Sequence, residues 1–256
     1  MRRKNLYFRK FGFELEFSTQ FDDVEPIVKR LLGRVYNKKK ITISKVFGDD
    51  NNHFRKWELK YDGSTESELT TPISTLKNFS KISKIIQGLK EKNLKITQKD
   101  SVHVHMQAND VPKHNIIAAW IQIESAILQC FPKHRRNNSY CEKIIKNKRY
   151  DKISDFFIKA EDESFNHHSI VSLQYYPERK TVEFRVMEGN LNQEDIKAWI
   201  RFCMIFLHYA KTIDPVEIIC DKVKNKMNLD KMMAMMSIED QLVIEFLERR
   251  KKLFRS

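Results

Sequence analysis

Glycine and proline are scarce, with six of each in 256 residues. Long flexible linkers draw on both, so none is expected, and the chain reads as one large domain or one domain with an appendage. No apolar run approaches the roughly 18 residues that a membrane-crossing helix needs. No membrane span is therefore expected. The basic start, Met1-Arg2-Arg3-Lys4-Asn5, is not followed by the apolar stretch of a signal peptide. Cysteine is limited to Cys130, Cys141, Cys203 and Cys220, and no two of them stand in C-x-x-C spacing. Cys130 and Cys203 fall in apolar helical runs and read as core residues. A reducing cytoplasm is the expected location. Internal repeats and low-complexity tracts are absent. Acidic residues are also in deficit: 34 Asp and Glu stand against 47 Lys and Arg, a formal charge of +13. That balance favours anionic partners such as nucleotides, nucleic acid or acidic peptides. Much of it is Lys on helices, where a solvated face explains it equally well.

What is present is enough apolar surface for a core, with 41% hydrophobic and 11% aromatic residues. Phe11-Gly12-Phe13-Glu14-Leu15-Glu16-Phe17 alternates as a strand. Its aromatic and aliphatic residues face one side, and Glu14 and Glu16 face the other. Val24 to Leu32 reads as a helix with Pro26 in its first turn. A basic clip, Lys38-Lys39-Lys40, leads to a short strand from Ile41 to Val46. A turn follows at Gly48-Asp49-Asp50-Asn51-Asn52. Strands are expected at Trp57–Tyr61 and Glu66–Pro72, separated by a tight turn at Asp62-Gly63-Ser64. Leu76 to Lys92 has helical spacing. Leu94–Ile96 and Ser101–Gln107 read as strands. A long apolar helix runs from Pro112 to Phe131, and a basic loop covers His134–Asn138. Helical segments continue to about Glu163. Ser169–Tyr176 and Thr181–Glu188 form a hairpin turning at Pro177-Glu178-Arg179. A helix spans Asp195–Ile213. Beyond Asp214 the chain is helical and Met-rich, with Ser237 and Asp240 as a capping box for a last helix ending in Arg249-Arg250-Lys251-Lys252.

Four of these strands carry polar pairs at i, i+2: Glu14/Glu16, Glu66/Glu68, His103/His105 and Glu183/Arg185. Each pair shares a face. Neighbouring carboxylates on one face repel and need cations, either basic side chains or a metal. An amphipathic strand with one wet face, a surface His pair or a cross-strand ion pair would each produce one such pattern alone. Stacked in one antiparallel sheet, the four pairs would build a wall of carboxylates, imidazoles and a guanidinium. Carboxylate oxygens are hard ligands for Mg²⁺ or Mn²⁺, which also hold substrate phosphates.

Taken in order, these pieces resemble the amidoligase family. The run is Phe-Gly-Phe-Glu-Leu-Glu-Phe, Asp62-Gly63-Ser64, Glu68-Leu69-Thr70-Thr71-Pro72, His103-Val104-His105, Arg135-Arg136-Asn137-Asn138-Ser139-Tyr140-Cys141, and Thr181-Val182-Glu183-Phe184-Arg185. That family belongs to the carboxylate–amine ligases with a glutamine-synthetase-like fold, which also include glutamate–cysteine ligase. The resemblance covers roughly Phe11 to Tyr209. It implies an ATP- and Mg²⁺-dependent (or Mn²⁺-dependent) ligase that forms an amide through an acyl phosphate. It assigns Glu14, His103 and Glu183 to one metal and Glu16 and Glu68 to another, with Glu66 able to help. His105 and Arg185 would touch the transferring phosphate or the substrate carboxylate. Arg135 and Arg136 would bind phosphate or carboxylate, and Asp62 would orient the amine. One departure stands out: the family's small, Gly-rich lead into the His strand is here Gln98-Lys99-Asp100-Ser101.

The expected fold is therefore α+β: a curved antiparallel sheet with outer helices, a glutamine-synthetase-like catalytic domain over 1–213 and a helical C-terminal extension over 214–256. Expected partners are ATP, a carboxylate and an amine, each free or protein-borne. Nucleic acid is not favoured, no membrane is involved, and an oligomer is open. Two other readings compete. Asp50 with Glu58-Leu59-Lys60 fits a loose metal-dependent nuclease pattern, which would leave the other pairs without a role. A non-catalytic nucleotide-binding protein of the same fold is the second.

Overall fold

The structure is a computed structural model that describes residues 9–37, 44–47, 56–61, 65–136, 138–144, 168–220 and 227–255. Lys38-Lys39-Lys40, the start of the strand expected from Ile41, Asp50 and its turn, Asp62-Gly63-Ser64, Asn137 and the helical segments expected over 145–163 lie outside the described residues. The chain divides into two compact units, residues 1–105 with 187–197, and residues 106–186 with 198–256. Both are α+β.

In the first unit, strand β1 (Phe11–Phe17) is buried along its whole length. It pairs antiparallel with β4 (Ser67–Thr70), which pairs antiparallel with β3 (Glu58–Tyr61). The short β2 (Ser44–Phe47) adds to β3 in parallel, and β5 (Ser101–Gln107) lies on the other side of β1. The register sets two rows across three strands. Glu14 faces Thr70, which faces Glu58; Glu16 faces Glu68, which faces Lys60. Leu15, Leu69 and Leu59 form the intervening row on the opposite side, each at most 1% exposed. One side of this sheet is thus apolar core and the other polar, as the period-two alternation requires.

Helix α1 (Phe21–Tyr36) packs on β3 and on α2 (Phe79–Glu91). The two helices meet at Gly88, where an added Cβ would lie 2.3 Å from Leu31 Cδ2. Helix α1 begins earlier than the sequence pattern suggested, at Phe21, so Pro26 sits inside the helix rather than in its first turn. The expected helix from Leu76 opens as a 3-10 turn (Leu76–Asn78) before α2.

No strand forms at Leu94–Ile96. Instead both backbone groups of Lys95 pair with the residues that follow β1: its carbonyl accepts from Ser18 N–H, and its N–H donates to Thr19 Oγ1. The non-glycine lead into β5 is organised by Asp100, whose buried carboxylate accepts from Ser18 Oγ, Thr97 N–H and Thr97 Oγ1. A small side chain is still needed opposite. Gly189 donates its N–H to the Asp100 carbonyl, and a Cβ there would come within 2.6 Å of Ile96 Cγ2.

In the second unit, strand β6 is only Val171–Ser172, and it pairs antiparallel with β7 (Thr181–Glu188) through Val171–Phe184 and Ser172–Glu183. The expected hairpin is therefore shorter on its first arm. Its connection includes a helical turn at Tyr176–Arg179 closed by Lys180 in the left-handed region. Ala108 N–H donates to the Lys180 carbonyl. Helix α3 (Lys113–Ile127) is buried around most of its circumference, as its apolar sequence demands. Trp120 stacks edge-on against Phe206 and lies 6.0 Å from Phe184; Trp199 packs on Phe131 and Phe202. The Asn115 amide donates to the carbonyls of Ala210 and Ile213, pinning the end of the long helix Gln193–Thr212.

Residues expected as a basic loop, His134 to Asn138, instead include one helical turn, Lys133–Arg136. Beyond Asp214 lie the helices Pro215–Cys220, Leu229–Met235 and Gln241–Leu253. The capping box is not formed as expected. Asp240 is itself the cap, accepting from Val243 N–H, while Ser237 takes a positive φ. Arg250 is 2% exposed, donates to the Cys130 carbonyl and stacks on Phe131, Phe246 and Phe254.

Candidate active site

The polar side of the first unit's sheet gathers Glu14, Glu16, Glu68, His103 and His105, none more than 8% exposed. Alternation explains why. On β5, Val102, Val104 and Met106 are fully buried, so Ser101, His103 and His105 turn to the other side. His103 Nδ1 lies 3.2 Å from Glu14 Oε2, and its Nε2 lies 2.6 Å from Ser101 Oγ and 3.8 Å from Glu16 Oε1. The Ser101 hydroxyl donates to Glu16. His105 Nε2 stands 3.4 Å from Glu14 Oε2, so both imidazoles converge on one carboxylate oxygen. Glu68 accepts from Thr70 Oγ1 at 3.0 Å and lies 3.5 Å from Lys60 Nζ.

The two best-defined carboxyls are driven in opposite directions. Burial pushes Glu14 up, but the charge of His105 and hydrogen bonds from both imidazoles outweigh it and hold the carboxyl well below the usual range. Glu68 is held well above that range, first by burial and then by the charges of Glu14 and Glu16; Lys60 and Thr70 oppose this without prevailing. Burial and the neighbouring carboxylates thus disfavour a further negative charge at Glu68. Buried hard oxygen donors together with imidazole nitrogen fit a divalent cation.

The remaining expected residues are placed as follows. Glu66 precedes β4 and is exposed, so it does not share the face of Glu68. Glu183 and Arg185 share a face of β7 in the second unit and form an ion pair with each other. Arg185 Nε also reaches the Tyr140 carbonyl at 3.4 Å. Arg135 is buried and donates to the carbonyls of Arg185 and Val186, bracing β7. Arg136 donates to the carbonyls of Phe131 and Phe254. Both arginines thus have donors engaged by main chain. Cys141 is buried in the same unit, and its thiol is pushed up to about 11 by burial despite Arg135 and Arg185.

Of the nuclease pattern, Asp50 lies outside the described residues, whereas Glu58 and Lys60 sit on the polar side of β3, in the rows of Glu14 and Glu16. Sequence reasoning weighed Lys60 only for that pattern and overlooked Ser101 and Thr70. The signal was available: Ser101 precedes His103 by two and Thr70 follows Glu68 by two, the same parity that singled out the pairs.

With this geometry in view, the comparisons give the class. A model of the family described as "putative amidoligase enzyme" matches residues 8–207, and the chain belongs to that family. At that level it is an amide ligase, a class that joins a carboxylate to an amine. No curated protein matches it. Among the described residues, no helix is long and apolar enough to cross a membrane.

Proposed function

We propose that the protein is an ATP-dependent carboxylate–amine ligase that works with Mg²⁺ or Mn²⁺ and forms its amide through an acyl phosphate. The observation that carries this is the convergence of Glu14, Glu16, Glu68, His103 and His105 on one buried sheet face. The five come from three strands spread over ninety residues of sequence, and family membership supplies the reaction class. Phosphorylating a carboxylate brings like charges together, and a bound divalent cation would supply neutralisation of the phosphate and acyl oxygens. Glu14 and His103, and by resemblance Glu183, would hold one ion; Glu16 and Glu68 would hold the other.

The chain's own groups do the rest. His105 and Arg185 bind phosphate or carboxylate oxygens, Arg being suited to bidentate contact. Arg135, through the main chain of β7, orients Arg185. Ser101 fixes the rotamers of His103 and Glu16 at once. Asp62 is assigned to orienting the amine by resemblance alone.

The test is ADP and phosphate release from purified protein supplied with ATP, Mg²⁺ and panels of carboxylates and amines. Release is expected to require both classes. Glu14→Gln and His103→Ala are expected to abolish turnover with the far-ultraviolet circular dichroism spectrum unchanged; near-normal rates in either defeat the site assignment. Absence of a thermal shift with ATP and Mg²⁺ would instead support the non-catalytic reading. DNA cleavage without ATP, lost in Lys60→Ala and kept in Glu14→Ala, would support the nuclease reading.

A further inference from the structure

Strand β3 brings a second charged pair to the candidate site. Leu59 is fully buried on the apolar side, so Glu58 and Lys60 share the polar side. Lys60 Nζ lies 3.5 Å from Glu68 Oε1, which shows that this side of β3 is the side of the carboxylate cluster. Glu58 is 0% exposed, and neither of its carboxylate oxygens has a hydrogen-bond partner among the described residues. A buried carboxylate that carries its charge without a partner is strongly unfavourable unless a cation reaches it in some state of the protein. Lys56 and Lys60 each stand two residues from Glu58, but Lys56 precedes β3 and is exposed, whereas Lys60 lies on β3 and is buried. Residues i and i+2 of a strand are about 7 Å apart at Cα and point the same way, so a four-carbon side chain that reaches Glu68 across the ladder can also reach Glu58 along it.

We propose that Lys60 is a positioning residue with two berths: it sits on Glu68 when no metal is bound there, and it transfers to Glu58 when Glu68 ligates a divalent cation. The inference rests on the reading of Glu68 as a metal ligand. Its physical content is a charge exchange. The ammonium holds the Glu68 side chain in place before the metal arrives. The incoming ion repels the ammonium, and the buried carboxylate of Glu58 receives it. Lys60 therefore competes with the metal for Glu68, while Glu58 lowers the cost of displacing it.

Mn²⁺ titration of the full chain, with free ion read by electron paramagnetic resonance, tests this without any substrate. Glu58→Gln is expected to weaken Mn²⁺ binding about tenfold, and Lys60→Met to tighten it, the scale of change that outer partners of metal ligands produce. Simple long-range charge effects would give the same two signs but would add. A displaced lysine couples them, so the Glu58 effect is expected to shrink by at least about threefold in the Lys60→Met background. Additive effects overturn the proposal. If Glu58→Gln does not fold, Lys60→Met alone still decides: unchanged or weaker Mn²⁺ binding overturns it. A structure with Mn²⁺ on Glu68 must show Lys60 Nζ paired with Glu58, and Lys60 still on Glu68 in that structure overturns it. Failure of the wild type itself to bind Mn²⁺ removes the metal reading of Glu68 as well, which distinguishes that failure from one confined to Lys60 and Glu58.

Discussion

Replacing Glu14 by Gln keeps the side chain's shape and removes its charge at the point where two imidazoles converge. His103 Nδ1 and His105 Nε2 lie 3.2 and 3.4 Å from the same Glu14 oxygen, and the residue is 8% exposed. If Glu14 ligates the metal, MnCl₂ at a hundred times Kd stabilises the wild type by about 2.7 kcal/mol. For a chain of this size that raises Tm by roughly 5–10 °C. Loss of a ligand is expected to weaken binding by about 100-fold. At the same MnCl₂ concentration the ion is then near its Kd, and the stabilisation falls to about 0.4 kcal/mol, a shift below about 2 °C. The assay is thermal denaturation with MnCl₂ and with chelator, each variant compared with its own metal-free melt. That comparison removes the loss of intrinsic stability that the substitution causes. A Glu14→Gln protein whose Mn²⁺ shift equals that of the wild type would refute the reasoning.

Three further predictions concern titration, packing and thiol chemistry. Glu14 is held below its ordinary range, so its contribution to stability is present above that range and is lost as pH falls through the depressed value; Glu68 is held above, so the folded protein keeps a proton the unfolded chain releases, and stability falls as pH rises through that window. Urea midpoints of metal-free protein, followed as pH rises above the ordinary carboxylate range, should therefore decline less in Glu68→Gln than in the wild type, and an identical decline would contradict the assignment. Arg250→Met removes a charged hydrogen bond of 2.8 Å and three ring contacts at 4.9–5.2 Å, and should cost about 2–4 kcal/mol in urea melts; a cost under about 1 kcal/mol would show the stack to be incidental. Burial pushes the Cys130 thiol up to about 12 and Cys141 to about 11, and raises Cys203 as well. Iodoacetamide near pH 8 should leave all three unlabelled in the native protein and label them in denaturant, as read by peptide mass spectrometry; native labelling of Cys141 would contradict its burial.

Strand alternation made much of the site legible. Phe11–Phe17 and Ser101–Gln107 lie where the pattern put them, and both strands turn their charged or imidazole residues to one side because the period of a strand is two. The same rule failed at Glu66, because β4 starts one residue later and the pairing partner of Glu68 is Thr70. It also failed at Leu94–Ile96, where Ser18 and Thr19 satisfy the backbone of Lys95 without a ladder. Arg135 and Arg136 look identical in sequence to anion-binding arginines. Only folding shows guanidinium donors engaged by main-chain carbonyls, those of Arg185 and Val186 for Arg135 and those of Phe131 and Phe254 for Arg136.

The sequence by itself determined which residues could share a strand face, that the chain has an apolar core, and which family its motifs belong to, because these depend on local periodicity and residue order. Tertiary structure alone decided who meets whom across strands: that Glu16, Glu68 and Lys60 form one row and Glu14, Thr70 and Glu58 the next. Register is set by the packing of Leu15, Leu69 and Leu59 on the opposite side, and a slip of one residue would turn every carboxylate into the core.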